Sequence, residues 1–295
     1  MSHSTTATIE TQGLEIAKSK KKIIGGIIKK KTLIKASRYI LEKAKSIAFA
    51  SIGLTIFCGF WSLLSYYTKE ALPGPTATLT VLFEMLSDPF YDYGPNDKGI
   101  GLQLFVSIKT VLSGFLLGSL FAIPFGILIG ASSIFKKIFY PIVQFLKPVS
   151  PLAWFPIGLV VFKDTGMATI FIVFITSLWS TLINTSFGVS TIPQDHKNVA
   201  KAFGFSKWRY LTKVVFPYTL PHIITGLRLS ISVAWLVIVA GEMLSGGAGI
   251  GFFVWDSWNA LSLERVISAI IIIGFVGIIF DGFFTMIEKK VSYKA

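Results

Sequence analysis

The chain predicts an all-α, polytopic membrane protein of about six transmembrane helices, on three observations. Hydrophobic residues make up 53% of the 295 positions and charged residues only 15%, which is too apolar for a water-soluble domain of this length. Six apolar runs, at 46–67, 104–131, 138–162, 167–190, 220–244 and 266–287, each reach the length of about 20 residues that crosses the hydrocarbon of a bilayer. The basic residues are sorted: segments 1–45, 132–137, 191–219 and 288–295 hold 21 of the 28 Lys and Arg, while the alternating segments hold Lys69, Lys98, Lys163 and Arg265. This asymmetry places the basic segments, and both termini, in the cytoplasm. It also accounts for the net charge of +13 without a nucleic-acid partner.

Residues 1–45 read as a cytoplasmic basic segment. Positions 1–17 are expected to be disordered. Positions 18–45 alternate Lys with Ile and Leu, as a basic amphipathic helix lying on inner-leaflet lipid would. The first long apolar run begins only at Ser46, so no cleavable signal is expected. That run holds Cys58, the one cysteine, so no internal disulfide can form. His3, His196 and His222 lack metal-ligand spacing, and no metal site is expected.

The outer segment 68–103 predicts a short interfacial helix over Leu79 to Leu86. It then runs through a turn-rich stretch from Pro89 to Gly101. The second span repeats a small residue every four positions: Gly114, Gly118, Ala122, Gly126 and Gly130. Such a strip lets two helix backbones approach in lipid. Packing within the chain is the favoured reading and a dimer seam the alternative. Pro141, Pro148, Pro151 and Pro156 interrupt the third span, so it either lines a cavity or carries a purely structural kink. The fourth span ends in Thr176, Ser177, Ser180, Thr181, Asn184, Thr185 and Ser186, where a pathway face is favoured over interhelical hydrogen bonding. An outer turn, Gly246 to Gly251, follows the fifth span, and Glu288-Lys289-Lys290 anchors the end of the sixth.

Charges at membrane depth are costly and are paired or functional. Helical rise places Lys109 and Glu242 near the outer surface and Arg228 and Asp281 near the inner one, predicting two ion pairs. Lys147, among the prolines of the third span, has no predicted partner. The surplus of cations favours an anionic substrate.

The most informative segment lies at 191–219, polar and basic between two apolar runs. It contains Asn198-Val199-Ala200-Lys201-Ala202-Phe203-Gly204, nine further residues, then Val214-Val215-Phe216-Pro217. This resembles the EAA loop of bacterial ABC importer permeases, Glu-Ala-Ala, three residues, Gly, nine residues, Ile-x-Leu-Pro. Ala200, Gly204 and Pro217 fall on register; Asn198 stands in place of the Glu. Pro148 to Pro156 resembles the Pro-x-x-Pro-x-Ala-x-x-Pro run of permeases for nitrate, sulfonates and taurine. Gly226 to Ser230, Ala234-Trp235 and Gly241-Glu242-Met243 resemble their fifth span. The loop from Phe90 to Gly101 resembles that of the nitrate and bicarbonate permeases.

The resemblance implies a type I ABC importer permease fold in a bacterial cytoplasmic membrane. The permease domain would be 46–295. It implies a second, identical permease chain, two cytoplasmic ATPase subunits and an extracytoplasmic solute-binding protein. ATP and Mg would be bound by the ATPases and no cofactor by this chain, which lacks a Gly-x-x-x-x-Gly-Lys-Ser/Thr run. The segment around 196–210 would be the coupling helix, with Asn198, Ala200, Lys201, Phe203, Gly204, Phe205, Lys207, Arg209 and Pro217 as coupling residues. Lys147, Trp154, Ser180, Asn184 and Thr185 are the candidates for the translocation path. The implied cargo is a small inorganic anion, nitrate foremost, with bicarbonate or taurine and other sulfonates as alternatives. A secondary carrier or channel is the rival class, but no repeat marks one and both intramembrane acids have expected basic partners. A membrane enzyme would need a cluster of His, Asp or Glu.

Overall fold

The computed structural model describes residues 41–94 and 97–292. The amphipathic helix expected over 18–45 and the disorder expected over 1–17 lie outside them, apart from positions 41–45. The chain divides into two compact units, residues 1–75 and 76–295. In the first, α1 (Leu41–Tyr67) is long and apolar enough to cross a membrane. Lys69 and Glu70 then adopt φ of 51° and 66° and turn the chain back, and the Trp61 indole N–H donates to the carbonyl of Pro73 at 2.9 Å.

The second unit begins with α2 (Pro75–Ser87), the short helix expected near this position. A hairpin follows, in which Asp92 and Lys98 form an antiparallel bridge and an ion pair at 3.4 Å. Gly99 is required by close approach, since a Cβ there would overlap the backbone of Pro89. Burial and the adjacent Asp97 carboxylate push the Tyr91 phenol above its ordinary range.

Three long helices form the body: α3 (Ile100–Ala131), α6 (Thr165–Ser190) and a helix running from Lys207 to Ser245. The last comprises α8 (Lys207–Tyr210), a π turn (Leu211–Val215) and α9 (Phe216–Ser245). Then come α10 (Ile250–Asn259) and α11 (Leu263–Ser292). Among the described residues five helices are long and apolar enough to span a membrane, or six if the bent pair below counts as one.

The small-residue strip of α3 is buried against α6 of the same chain. A Cβ at Gly114 would meet Val173, at Gly118 the carbonyl of Phe174 and Ser177, at Gly126 Thr185, and at Gly130 the carbonyl of Ser186. Ala122 is fully buried in the same row. Without side chains in this row, backbone dispersion contacts replace the hydrophobic drive that lipid cannot supply. One core then forms where α3, α6, α9, α10 and α11 meet, around Val111, Phe115, Val173, Ile231, Trp235 and Ile250. The Trp235 N–H satisfies itself on the carbonyl of Ile273 at 3.0 Å.

Two spans differ from expectation. The single run expected at 138–162 is α4 (Ser133–Leu146), a 3-10 turn (Pro151–Trp154) and α5 (Phe155–Phe162), bent by 97°. Pro148 and Pro151 cannot donate backbone hydrogen bonds, and Pro151 holds Ser150 extended at ψ 128°. Pro156 sits in the first turn of α5, where its missing donor is not needed. The fifth span starts at Lys207, so 207–219 is helix and not loop. Pro217 lacks an N–H, and its ring crowds the carbonyl four residues back; the wide turn at Leu211–Val215 takes up this misfit.

Candidate functional site

The polar segment between α6 and α8 folds as α7 (Gln194–Ala202), a helix lying outside the body. Its end is set by sequence. Gly204 takes the left-handed φ of 62°, its N–H donates to the Lys201 carbonyl at 3.0 Å, and the Phe205 N–H donates to the Ala200 carbonyl at 2.9 Å. These are the two bonds of a Schellman end, which glycine adopts without strain. Ala200 is buried at 4% exposure and seats α7 on the body, while Phe203 and Trp208 stand 74% and 73% exposed. Trp208 escaped the sequence reading. The available signal was a large aromatic inside a polar, basic stretch.

The remaining coupling candidates divide. Asn198 is exposed and accepts from Gln194 at 3.3 Å. Phe205 is half-buried under the Arg209 guanidinium, 4.6 Å from its ring centroid, so it is not free to fill a partner's notch. Lys201 and Lys207 line a cavity of about 320 Å³ behind α7 with Lys197 and Tyr210, floored by Val189, Ile192 and Val215. Pro217 lies in the first turn of α9, past the π turn.

The second constellation is the break between α4 and α5. Lys147 closes α4, its N–H donating to the Val143 carbonyl at 2.9 Å. Its side chain is exposed, with no carboxylate within 4.0 Å among the described residues. Trp154, at the end of the 3-10 turn, packs with Phe155, Ala168 and Ile172. Its indole nitrogen is buried with no hydrogen-bond partner among the described residues. A buried N–H left unpaired is costly, and an acceptor arriving at this bend would relieve it.

The polar end of α6 is different from a pathway face. Thr176, Ser177, Thr181 and Thr185 are buried. Thr181 and Ser230 share a hydrogen bond of 2.7 Å and Ser230 donates to the Ser177 carbonyl at 2.7 Å, tying α6 to α9. Thr185, expected on the path, is fully buried against Gly126. It cannot line a path within this chain. Ser180 and Asn184 are half-buried, with Asn184 donating back to the Ser180 carbonyl at 2.8 Å and both facing Gly226. Small polar groups were required here by close packing with α3 and α9.

The intramembrane charges also resolve. Arg228 engages Asp281 with Nε and Nη2 at 2.7 and 3.0 Å and Glu288 with Nη1 at 2.9 Å. Glu288 also accepts from Thr225 at 2.7 Å. Lys109 and Glu242 are not a pair. Lys109 is exposed, whereas Glu242 is 2% exposed and turned inward. Its Oε2 accepts from the Ser107 hydroxyl at 2.8 Å and the Gly251 N–H at 2.9 Å. Ser107 in turn accepts from the Ile250 N–H at 2.8 Å, and Gln103 from the Gly249 N–H at 2.6 Å. The carboxylate thus latches the Gly246–Gly251 turn to α3. One backbone N–H and one hydroxyl on Oε2 stand in place of a cation, while Oε1 is buried without a hydrogen-bond partner among the described residues. Gly249, at φ 118°, leaves room that a Cβ would fill.

Known proteins resemble this chain in sequence and in fold. Residues 122–293 fit the family model for the binding-protein-dependent transport system inner membrane component. The nitrate import permease protein NrtB of Synechocystis sp. is 39% identical over 82% of this chain and 88% of its own. The bicarbonate transport system permease protein CmpB of Synechococcus elongatus is 41% identical over 84% of this chain and 90% of its own. Among solved structures, an inward-facing form of the MetNI methionine ABC transporter superposes at TM-score 0.55 with 12% identity, covering 63% of this chain and 93% of that one. An amino acid ABC transporter superposes at 0.54 with 16% identity, covering 64% and 92%. Helix order, family model and relatives agree: the chain belongs to the family of inner membrane components of binding-protein-dependent transport systems, with the fold of ABC importer permeases.

Proposed function

We propose that this chain is the permease subunit of an ATP-driven importer that carries a small inorganic anion, nitrate foremost, into the cytoplasm. Two identical copies enclose the path, α7 and Gly204 dock on two cytoplasmic ATPase subunits, and an outer solute-binding protein delivers the anion. Both termini face the cytoplasm, in keeping with the segregation of Lys and Arg. ATP and Mg belong to the ATPase subunits.

The observation that carries the anion reading is the bend between α4 and α5. Lys147 offers an ammonium without a carboxylate, and Trp154 an N–H without an acceptor. Both groups only donate. Nitrate only accepts, whereas bicarbonate also carries an O–H that needs an acceptor. The bicarbonate reading stands second because a relative of that name is 41% identical. The loop from Phe90 to Gly101 supports either of these over a sulfonate.

The test is uptake of isotope-labelled nitrate by cells expressing this chain with its ATPase and binding protein, against cells lacking only this chain. Uptake requiring both ATP and the chain supports the proposal. ATP-dependent bicarbonate uptake without nitrate uptake replaces the cargo. Uptake indifferent to ATP removes the importer reading.

A further inference from the structure

Two adjoining cavities beside α4, which share three wall residues, outline an amphipathic slot. The first, about 220 Å³, is walled by Phe121 and Phe125 of α3, Phe139 and Val143 of α4, and Phe174 and Leu182 of α6. Among the described residues its lining has no charged or hydroxyl side chain. Ring contacts hold its walls: Phe121 lies 5.9 Å from Phe174 and Phe125 6.3 Å from Phe139. The second, about 150 Å³, shares Ile129, Val143 and Leu182 with the first and opens on Lys136, Tyr140, Ser186 and Ser190. Along α6 the wall residues Phe174 to Leu182 of the apolar cavity span about 12 Å, and Ser190 of the second cavity lies about another 12 Å on.

Family membership puts this slot at membrane depth. A helix with its side chains is about 10–12 Å across, too wide to enter a 220 Å³ slot; an unbranched acyl chain enters end-on. The polar end selects the headgroup. Among the described residues neither lining contains an acidic side chain. The Lys136 ammonium sits 6.0 Å from the Tyr140 ring centroid and has no carboxylate within 4.0 Å among the described residues. Ser190 donates to the Phe187 carbonyl, so the hydroxyls of Tyr140 and Ser186 are the donors that remain beside the lysine.

We infer that this slot is a binding site for one anionic phospholipid, an acyl chain between Phe125, Phe139 and Phe174 and the phosphate at Lys136. A bound lipid here would fill the space between α4 and the α3–α6 pair, and so steady the bent α4–α5 unit whichever anion the protein carries.

The test is native mass spectrometry of the full chain released from nanodiscs holding equal amounts of phosphatidylglycerol and phosphatidylcholine with the same acyl chains. The wild type should retain phosphatidylglycerol preferentially. Lys136→Gln should cut that preference roughly fivefold, the attraction of one lysine for an anionic surface. Ile142→Trp, at an exposed position of the slot wall, should reduce retention of both lipids. Both variants should keep wild-type helicity by circular dichroism. Equal retention of the two lipids, or preference unchanged in Lys136→Gln, overturns the proposal. So does a photo-crosslink from position 142 to a second copy of the chain in place of lipid. None of these readouts depends on transport, so failure here leaves the importer reading untouched, and the reverse.

Discussion

Arg228 on α9 grips Asp281 on α11 with two parallel hydrogen bonds, at 2.7 and 3.0 Å. The planar fork matches the carboxylate and fixes the relative rotation of the two helices. Because α9 continues without a break into the helix that begins at Lys207, the clamp ties the segment beside α7 to the last span. Arg228→Lys keeps the charge and loses the fork. It should lower coupled transport roughly threefold to thirtyfold, the range seen for residues that transmit between sites, with little change in expression. ATPase and transport rates in proteoliposomes measure it; unchanged coupling would mean that the clamp serves only packing.

Gly204 closes α7 in the left-handed region, at φ 62°. Gly204→Ala should cost about 1–2 kcal/mol at this helix end, while Gly204→Asn should be better tolerated. Among the described residues nothing lies within 4 Å of an added Cβ, so a larger side chain projects outward. Gly204→Trp should therefore fold yet fail to bind or to couple the ATPase. Co-purification of the ATPase with each variant checks both parts.

The strip on α3 faces α6, and Gly118→Val would force a side chain onto the Phe174 carbonyl. Overpacking of this kind costs about 1–3 kcal/mol. The variant should show a lower thermal midpoint in detergent. Wild-type stability with altered oligomeric state would return the strip to the role of a dimer seam.

Lys147 and Lys109 make a controlled comparison. Both are exposed cations at membrane depth, but Lys147 stands at the bend. A hydrogen bond to a charged group is worth about 1.5–3 kcal/mol, so Lys147→Gln should reduce anion transport roughly tenfold to a hundredfold. Lys109→Gln should stay near wild type, having no bond to Glu242. Initial uptake rates of the two variants at equal expression decide it.

Glu242 holds the Gly246–Gly251 turn through Gly251 and Ser107. Glu242→Ala leaves these buried donors unpaired, at about 1–3 kcal/mol, and frees the turn. Limited proteolysis from the outer side should cut between residues 245 and 251 faster in this variant. Glu242→Gln keeps an acceptor oxygen and should be protected like the wild type.

The helical fold was legible in the chain because crossing a bilayer requires long apolar runs and leaves few alternatives for the backbone. The small-residue strip was equally legible, down to the choice of a partner helix within the same chain. The Arg228–Asp281 pairing followed from depth alone, since helical rise converts sequence position into height. Height says nothing of rotation, however. Lys109 and Glu242 share a level but point apart, and Glu242 finds Ser107, 135 positions away. The hydroxyls of α6 misled for a related reason: Thr185 and Thr181 look like a wet face in sequence, but α3 and α9 cover them.

What the sequence by itself determined is therefore local and one-dimensional: which segments are helical and apolar, and which ends carry the positive charge; the coupling helix expected around 196–210 instead stops at Ala202, where Gly204 turns left-handed. Backbone hydrogen bonding and transfer to lipid act along a single segment, so a window of residues suffices to read them. The tertiary structure decided the 97° bend between α4 and α5, the latch on Glu242, the exposure of Phe203 and Trp208, and the open slot beside α4. Each depends on the rotation of one helix against another, and that is set by packing among residues far apart in the chain.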